Sequence, residues 1–103
     1  MTGFGPALRD LLTRRLELVA RLSQVTAAKH KLQQARAGAE IEIQRCEMAA
    51  ISGPDDEVAR DLLRGRQHAE ESARGEERCE AEIADLELSL AETDRQIEAA
   101  ARL

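Results

Sequence analysis

Two apolar seven-residue repeats follow one another in this chain, separated by the break Ser52-Gly53-Pro54-Asp55-Asp56. In the first, the core-type positions are Leu8, Leu11, Arg15, Leu18, Leu22, Val25, Lys29, Leu32, Arg36, Ala39, Ile43, Cys46 and Ala50. In the second they are Val58, Leu62, Gly65, Ala69, Ser72, Glu76, Cys79, Ile83, Leu86, Leu90, Thr93, Ile97 and Ala100. Steps of alternately three and four residues are the a/d pattern of a coiled coil. Folding the second run back on the first mates every a with a d, from Leu8 against Ala100 to Ala50 against Val58. The chain is therefore expected to be all-α, with two long antiparallel helices forming a coiled-coil hairpin as a single unit over 1–103.

Local signals place the ends of these helices. Pro6 suits a first helical position, where its missing N–H would have no partner, so the first helix is expected over about 6–51. Gly53 tolerates a left-handed stop and Pro54 cannot continue a helix, which puts the turn at 52–56. Asp55 or Asp56 is a natural cap for a second helix over about 56–101. Asp55, Asp56 and Glu57 also sit where the positive end of its dipole favours carboxylates. Each rod would be roughly 65 Å long.

Composition agrees with long helix and with a thin core. The 103 residues hold one Phe, no Trp and no Tyr, so the side chains that dominate most cores and interfaces are nearly absent. A two-helix seam is a small place to hide apolar groups, and association with a second copy or a partner is the expected remedy. Charge is unevenly divided. Residues 1–51 hold 8 basic and 5 acidic groups, net +3, whereas 52–103 hold 7 basic and 15 acidic groups, net −8. Arms of opposite sign favour the intramolecular hairpin over pairing of like helices. The acidic total argues against nucleic acid as a partner.

The ladder is uneven. Leu18 with Leu90, Leu22 with Leu86 and Val25 with Ile83 make a firm apolar block. Its middle instead carries Lys29, Arg36, Ser72 and Glu76 at core-type positions beside small Ala39, Ala69 and Gly65. Glu76 is placed to reach Lys29 or Arg36, and the basic stems to snorkel outward. The candidate partner-binding residues are Lys29, Arg36, Ile43, Gly65, Ser72, Glu76 and Cys79, with a register-fixing polar layer as the competing use. Gly38, Gly65 and Gly75 each cost ~1 kcal/mol relative to Ala inside a helix. Close backbone approach accounts for Gly65, which faces Ile43.

Catalytic chemistry finds little support. A two-helix rod lacks a concave interior to hold converging groups; no phosphate loop and no nucleophile with its base is present, and no enzyme activity or cofactor is expected. His30 and His68 lie on different arms without ligand spacing, so no metal site is expected. Cys46 and Cys79 fall on different rungs, roughly 25 Å apart along the rod, too far for a bridge within one hairpin. Reduced, buried thiols in a cytoplasmic chain are the simple reading. Neither a signal-peptide pattern nor a membrane-crossing run is evident. Phe4, Leu8, Leu11 and Leu12, with Leu16, do share a face flanked by Arg9, Arg14 and Arg15, suited to contact with a membrane surface.

Some strings resemble a known family. Ala27-Ala28-Lys29-His30-Lys31-Leu32, then Glu47-Met48-Ala49-Ala50, then Asp56-Glu57-Val58-Ala59-Arg60-Asp61-Leu62-Leu63 resemble the hairpin of the phage-shock protein A family. Val58-Ala59-Arg60 stands at that family's Leu-Ala-Arg run, and Ala84 to Ile97 resembles its later Glu/Leu-rich helix. The resemblance spans roughly 27–98. It implies a bacterial stress response at the envelope, with a hairpin that engages an ATPase-type transcriptional activator, assembles with copies of itself, and works in the cytoplasm or at the periphery of the inner membrane. The expected function is a non-enzymatic interaction module that self-associates or docks on a larger assembly. A stalk component of a flagellar or type III export ATPase and a membrane-surface binder are the alternatives.

Overall fold

The computed structural model describes residues 6–102. Those residues form two long helices and no strand: α1, Pro6–Ala50, and α2, Asp56–Ala101, joined by a short turn into a helical hairpin. The chain divides into two compact units. One comprises the residues up to Ala27 together with those from Glu80 onward, and the other is Ala28–Cys79. In both, numbers rise on α1 as they fall on α2: Arg15 meets Asp94 and Arg21 meets Glu82 in the first, while Arg36 meets Glu76 in the second.

The turn is built from the residues that break the heptad pattern. Backbone N–H groups of Ile51, Ser52 and Gly53 donate to the carbonyls of Met48, Ala49 and Ala50, each at 3.2 Å. These three-residue-span bonds tighten the end of α1 and occupy carbonyls that would otherwise lack partners. Ile51 thus belongs to the turn rather than to the helix, one residue short of the sequence expectation. Gly53 has φ +132°, a conformation that any Cβ would strain. Asp55 then caps α2: its Oδ1 accepts from the N–H of Glu57 at 2.9 Å and of Val58 at 3.2 Å. Asp56 and Glu57 fill the first turn, where the helix dipole favours negative charge.

Every core-type position of the ladder is buried or half-buried, with the exceptions of Arg15 and Ala50. Arg15 is long enough to leave the seam, and its Nε donates to Asp94 Oδ1 at 2.7 Å. Its rung partner Thr93 stays inside, 2% exposed, and satisfies its hydroxyl by donating to the carbonyl of Ser89 at 2.8 Å. Ala50 is the last residue of α1.

In the apolar block Leu18, Leu22, Ile83, Leu86 and Leu90 are half-buried, because one facing helix leaves the ends of these longer side chains uncovered, while the shorter Val25 is buried. In the Ala28–Cys79 unit, by contrast, Ala39, Cys46, Gly65, Ser72, Gly75 and Glu76 are all buried. Small residues there let the backbones approach. A Cβ placed on Gly65 would lie 3.1 Å from Ile43 Cγ1, and one on Gly75 would lie 2.9 Å from Leu32 Cδ1. The stretch that looks weakest by hydrophobicity is thus closely packed, and Gly75 owes its place to Leu32.

Candidate protein-docking groove

Within the Ala28–Cys79 unit, the small residues that draw the helices together also leave a depression beside the seam. It encloses about 470 Å³ and is lined by Ala35, Gly38, Ala39 and Glu42 from α1 and by Asp61, Arg64, Gly65 and His68 from α2. Its floor is Ala39 and Gly65. Gly38 opens onto it, since a Cβ there would meet nothing within 4 Å. The apolar floor is bordered by charge, with Arg64 Nη1 3.3 Å from Asp61 Oδ1. Such a shape has room for an aliphatic side chain and carries hydrogen-bonding groups at its rim.

Further along the same seam lies the polar layer. The Nε and Nη2 of Arg36 both donate to the Glu76 carboxylate, the Nη2 bond measuring 3.0 Å to Oε1. A third donor, Arg36 Nη1, reaches Glu40 Oε1 at 3.3 Å. The Glu76 side chain is 8% exposed and that of Arg36 40% exposed, so the guanidinium stem covers the carboxylate from the solvent side. These hydrogen bonds from Arg36 hold the Glu76 carboxyl below its ordinary value, against burial, which pushes it up; the charges of Arg36 and Lys29 act in the same downward direction. The hydrogen bond to Glu76 likewise pushes the Arg36 guanidinium above its ordinary value. Among the described residues no buried side-chain nitrogen or oxygen lacks a hydrogen-bond partner. The layer is therefore closed on itself.

The candidate residues consequently separate. Gly65 lines the groove, and Ile43 packs on Gly65 from the seam side. Arg36, Glu76 and Ser72 belong to the seam itself, with Lys29 close enough for its charge to act on Glu76. Cys79 is half-buried. The lining contributed by Ala35, Gly38, Glu42, Asp61, Arg64 and His68 is not among the partner-binding residues read from the sequence. The ladder gave only seam positions, and these six flank it. A small-residue pair one position apart, Gly38 next to Ala39, was the available signal.

Both thiols are free. Burial pushes the Cys46 thiol up, and the charges of Glu42 and Asp61 add to it; its Sγ donates to Glu42 Oε1 at 3.8 Å. A thiol in that setting is a poor nucleophile. No group of three or more His, Cys, Asp or Glu among the described residues is arranged to hold a metal ion. In the other unit, Leu8, Leu11 and Leu12 are half-buried and Leu16 is exposed, while Phe4 lies outside the described residues. No described helix is long and apolar enough to cross a membrane.

No family model, curated protein or solved structure matches the chain. The likeness of residues 27–98 to the phage-shock protein A hairpin thus stands on the quoted strings alone.

Proposed function

We propose that this chain is a non-enzymatic interaction module, a helical hairpin whose work is to bind another protein surface or further copies of itself. One observation carries this reading: among the described residues no large side chain is fully buried, while Ile41, Met48, Ile51 and Leu63 in one unit and Leu16 and Leu88 in the other remain exposed. Fully burying such a side chain is worth about 1.5–3 kcal/mol, so the hairpin leaves much of its apolar stabilisation for contact with something else. The groove over Ala39 and Gly65 is a preformed acceptor for part of that contact.

Light scattering across protein concentration, paired with affinity capture from cell extract, tests the reading. Association or a specific captured protein is the expected result. A chain that stays single at every concentration and captures nothing would sink it. Gly38→Leu fills the groove without touching the seam, and loss of capture by that variant would locate the contact there.

A further inference from the structure

The outward side of α1 in the Ala28–Cys79 unit differs from that of α2. Opposite the seam, α2 presents Arg60, Leu63, Gln67, Glu70, Arg74 and Glu77, an ordinary solvated face. The corresponding positions of α1 from residue 30 onward carry no acidic or basic group other than His30, and they end in Ala37, Ile41, Gln44 and Met48, with Ile51 following in the turn. Those four follow steps of four and three, which is a second a/d stripe on a helix whose first is already used, and Ile51 continues the spacing just past the helix end. Ile41, Met48 and Ile51 are 59%, 72% and 84% exposed.

Charge beside this stripe says what covers it. On one flank stand Lys31 and Arg45, and on the other Glu40 and Glu47. Flanking charges fix partner and orientation in coiled coils. A second α1 laid antiparallel would bring the basic flank to a basic flank and the acidic flank to an acidic one. Laid parallel, it brings Glu40 of each copy toward Arg45 of the other, twice by symmetry. Glu40 and Arg45 now bond to Arg36 and Glu42 of their own helix at 3.3 and 3.2 Å, exposed pairs that yield easily.

We infer that the stripe Ala37–Ile51 is a parallel docking surface for a second copy of this chain. The inference rests on the interaction-module reading and names its partner. Ile41 and Met48 then pack on their own counterparts, with Gln44 as a polar layer that sets the register.

Sedimentation equilibrium of the full chain over a range of concentrations tests it, with helicity of each variant checked by circular dichroism. The wild type should form dimers. Met48→Glu should weaken them by roughly tenfold or more, having put a charge in the interface, whereas Leu63→Glu, equally outward on α2, should not. Glu40→Lys should weaken the dimer and Glu40→Lys with Arg45→Glu should recover it; a tighter dimer with Glu40→Lys alone would mean antiparallel pairing and overturn the assignment. With Cys46→Ala and Cys79→Ala as background, Ile51→Cys should cross-link its own copy. Dimers indifferent to Met48→Glu would overturn the surface while leaving the interaction module standing, as would a single chain that captures a different protein. A single chain that captures nothing would end both.

Discussion

Glycine inside a helix is tolerated where a neighbour needs the room, and the three helical glycines of the Ala28–Cys79 unit differ in how much they are needed. Gly38 has open space where a Cβ would stand, Gly65 has Ile43 Cγ1 at 3.1 Å, and Gly75 has Leu32 Cδ1 at 2.9 Å. Gly38→Ala should therefore stabilise the fold by up to about 1 kcal/mol, the propensity gain alone. Gly65→Ala should gain less or lose, because the atom it meets is mid-chain in a β-branched side chain with few rotamers to move to. The atoms opposing Gly75 are the methyl ends of Leu32, which can rotate, and Gly75→Ala should fall between the two. Thermal melts of the three variants rank them; equal gains at Gly38 and Gly65 would deny the close approach. Glu76 makes a prediction in pH. Its carboxyl is depressed in the folded chain by the hydrogen bonds from Arg36, so the folded state binds this proton less readily than the unfolded state does. That contribution is complete above the ordinary value of 4.5 and is lost as pH falls below it through the folded value. Glu76→Gln should lower the melting temperature at neutral pH and shrink the difference from wild type as the solution is acidified below about pH 4.5. A difference that stays constant through that range would show that the Arg36 pair contributes nothing.

At the scale of the helices, the sequence showed most of what the structure contains. A strict three-four repeat gives the seam of both helices, because a two-helix arrangement has a single buried stripe and no other layer to compete for the apolar residues. Pro6, Gly53 and the run of acids after Pro54 mark the ends, since each has one local physical reason to be there. What could not be read was the quality of packing. A residue count of Leu and Ile makes the stretch around Leu18 to Val25 look strongest, yet burial depends on how near the backbones come, and that is set by Gly65, Gly75, Ala39 and Ser72. The groove was hidden for a related reason: its lining flanks the seam and carries no apolar signal of its own. Between Asp55 and Asp56, both plausible caps, only the geometry decides, and it selects Asp55. Asp55→Ala should cost about 1 kcal/mol and Asp55→Asn clearly less, because the amide oxygen still accepts from the N–H groups of Glu57 and Val58. Asp56→Ala removes only a favourable charge in the first turn, worth about 0.3–1 kcal/mol. Urea melts of the three variants test the assignment, and it fails if Asp56→Ala is the most damaging.

For the molecule as a whole, stability and association are one question. Marginal domains keep only a small surplus of burial over conformational entropy, and the buried apolar residues among those described are few: Val25, Ala39 and Cys46. A surplus that thin is raised by any ligand that binds the folded state, and under the proposed pairing a second copy of the chain is such a ligand. The midpoint of thermal unfolding should then climb with protein concentration. Unfolding of a chain stable by itself would show one midpoint at all concentrations. Met48→Glu separates the two contributions, because Met48 is 72% exposed and contributes little to its own hairpin. Its midpoint should match that of the wild type when dilute and fail to rise when concentrated, whereas Leu63→Glu should follow the wild type throughout. Calorimetry at a series of concentrations reads this directly. A concentration-independent wild type would mean that the seam suffices, and the exposed side of α1 would then play no part in holding the fold together.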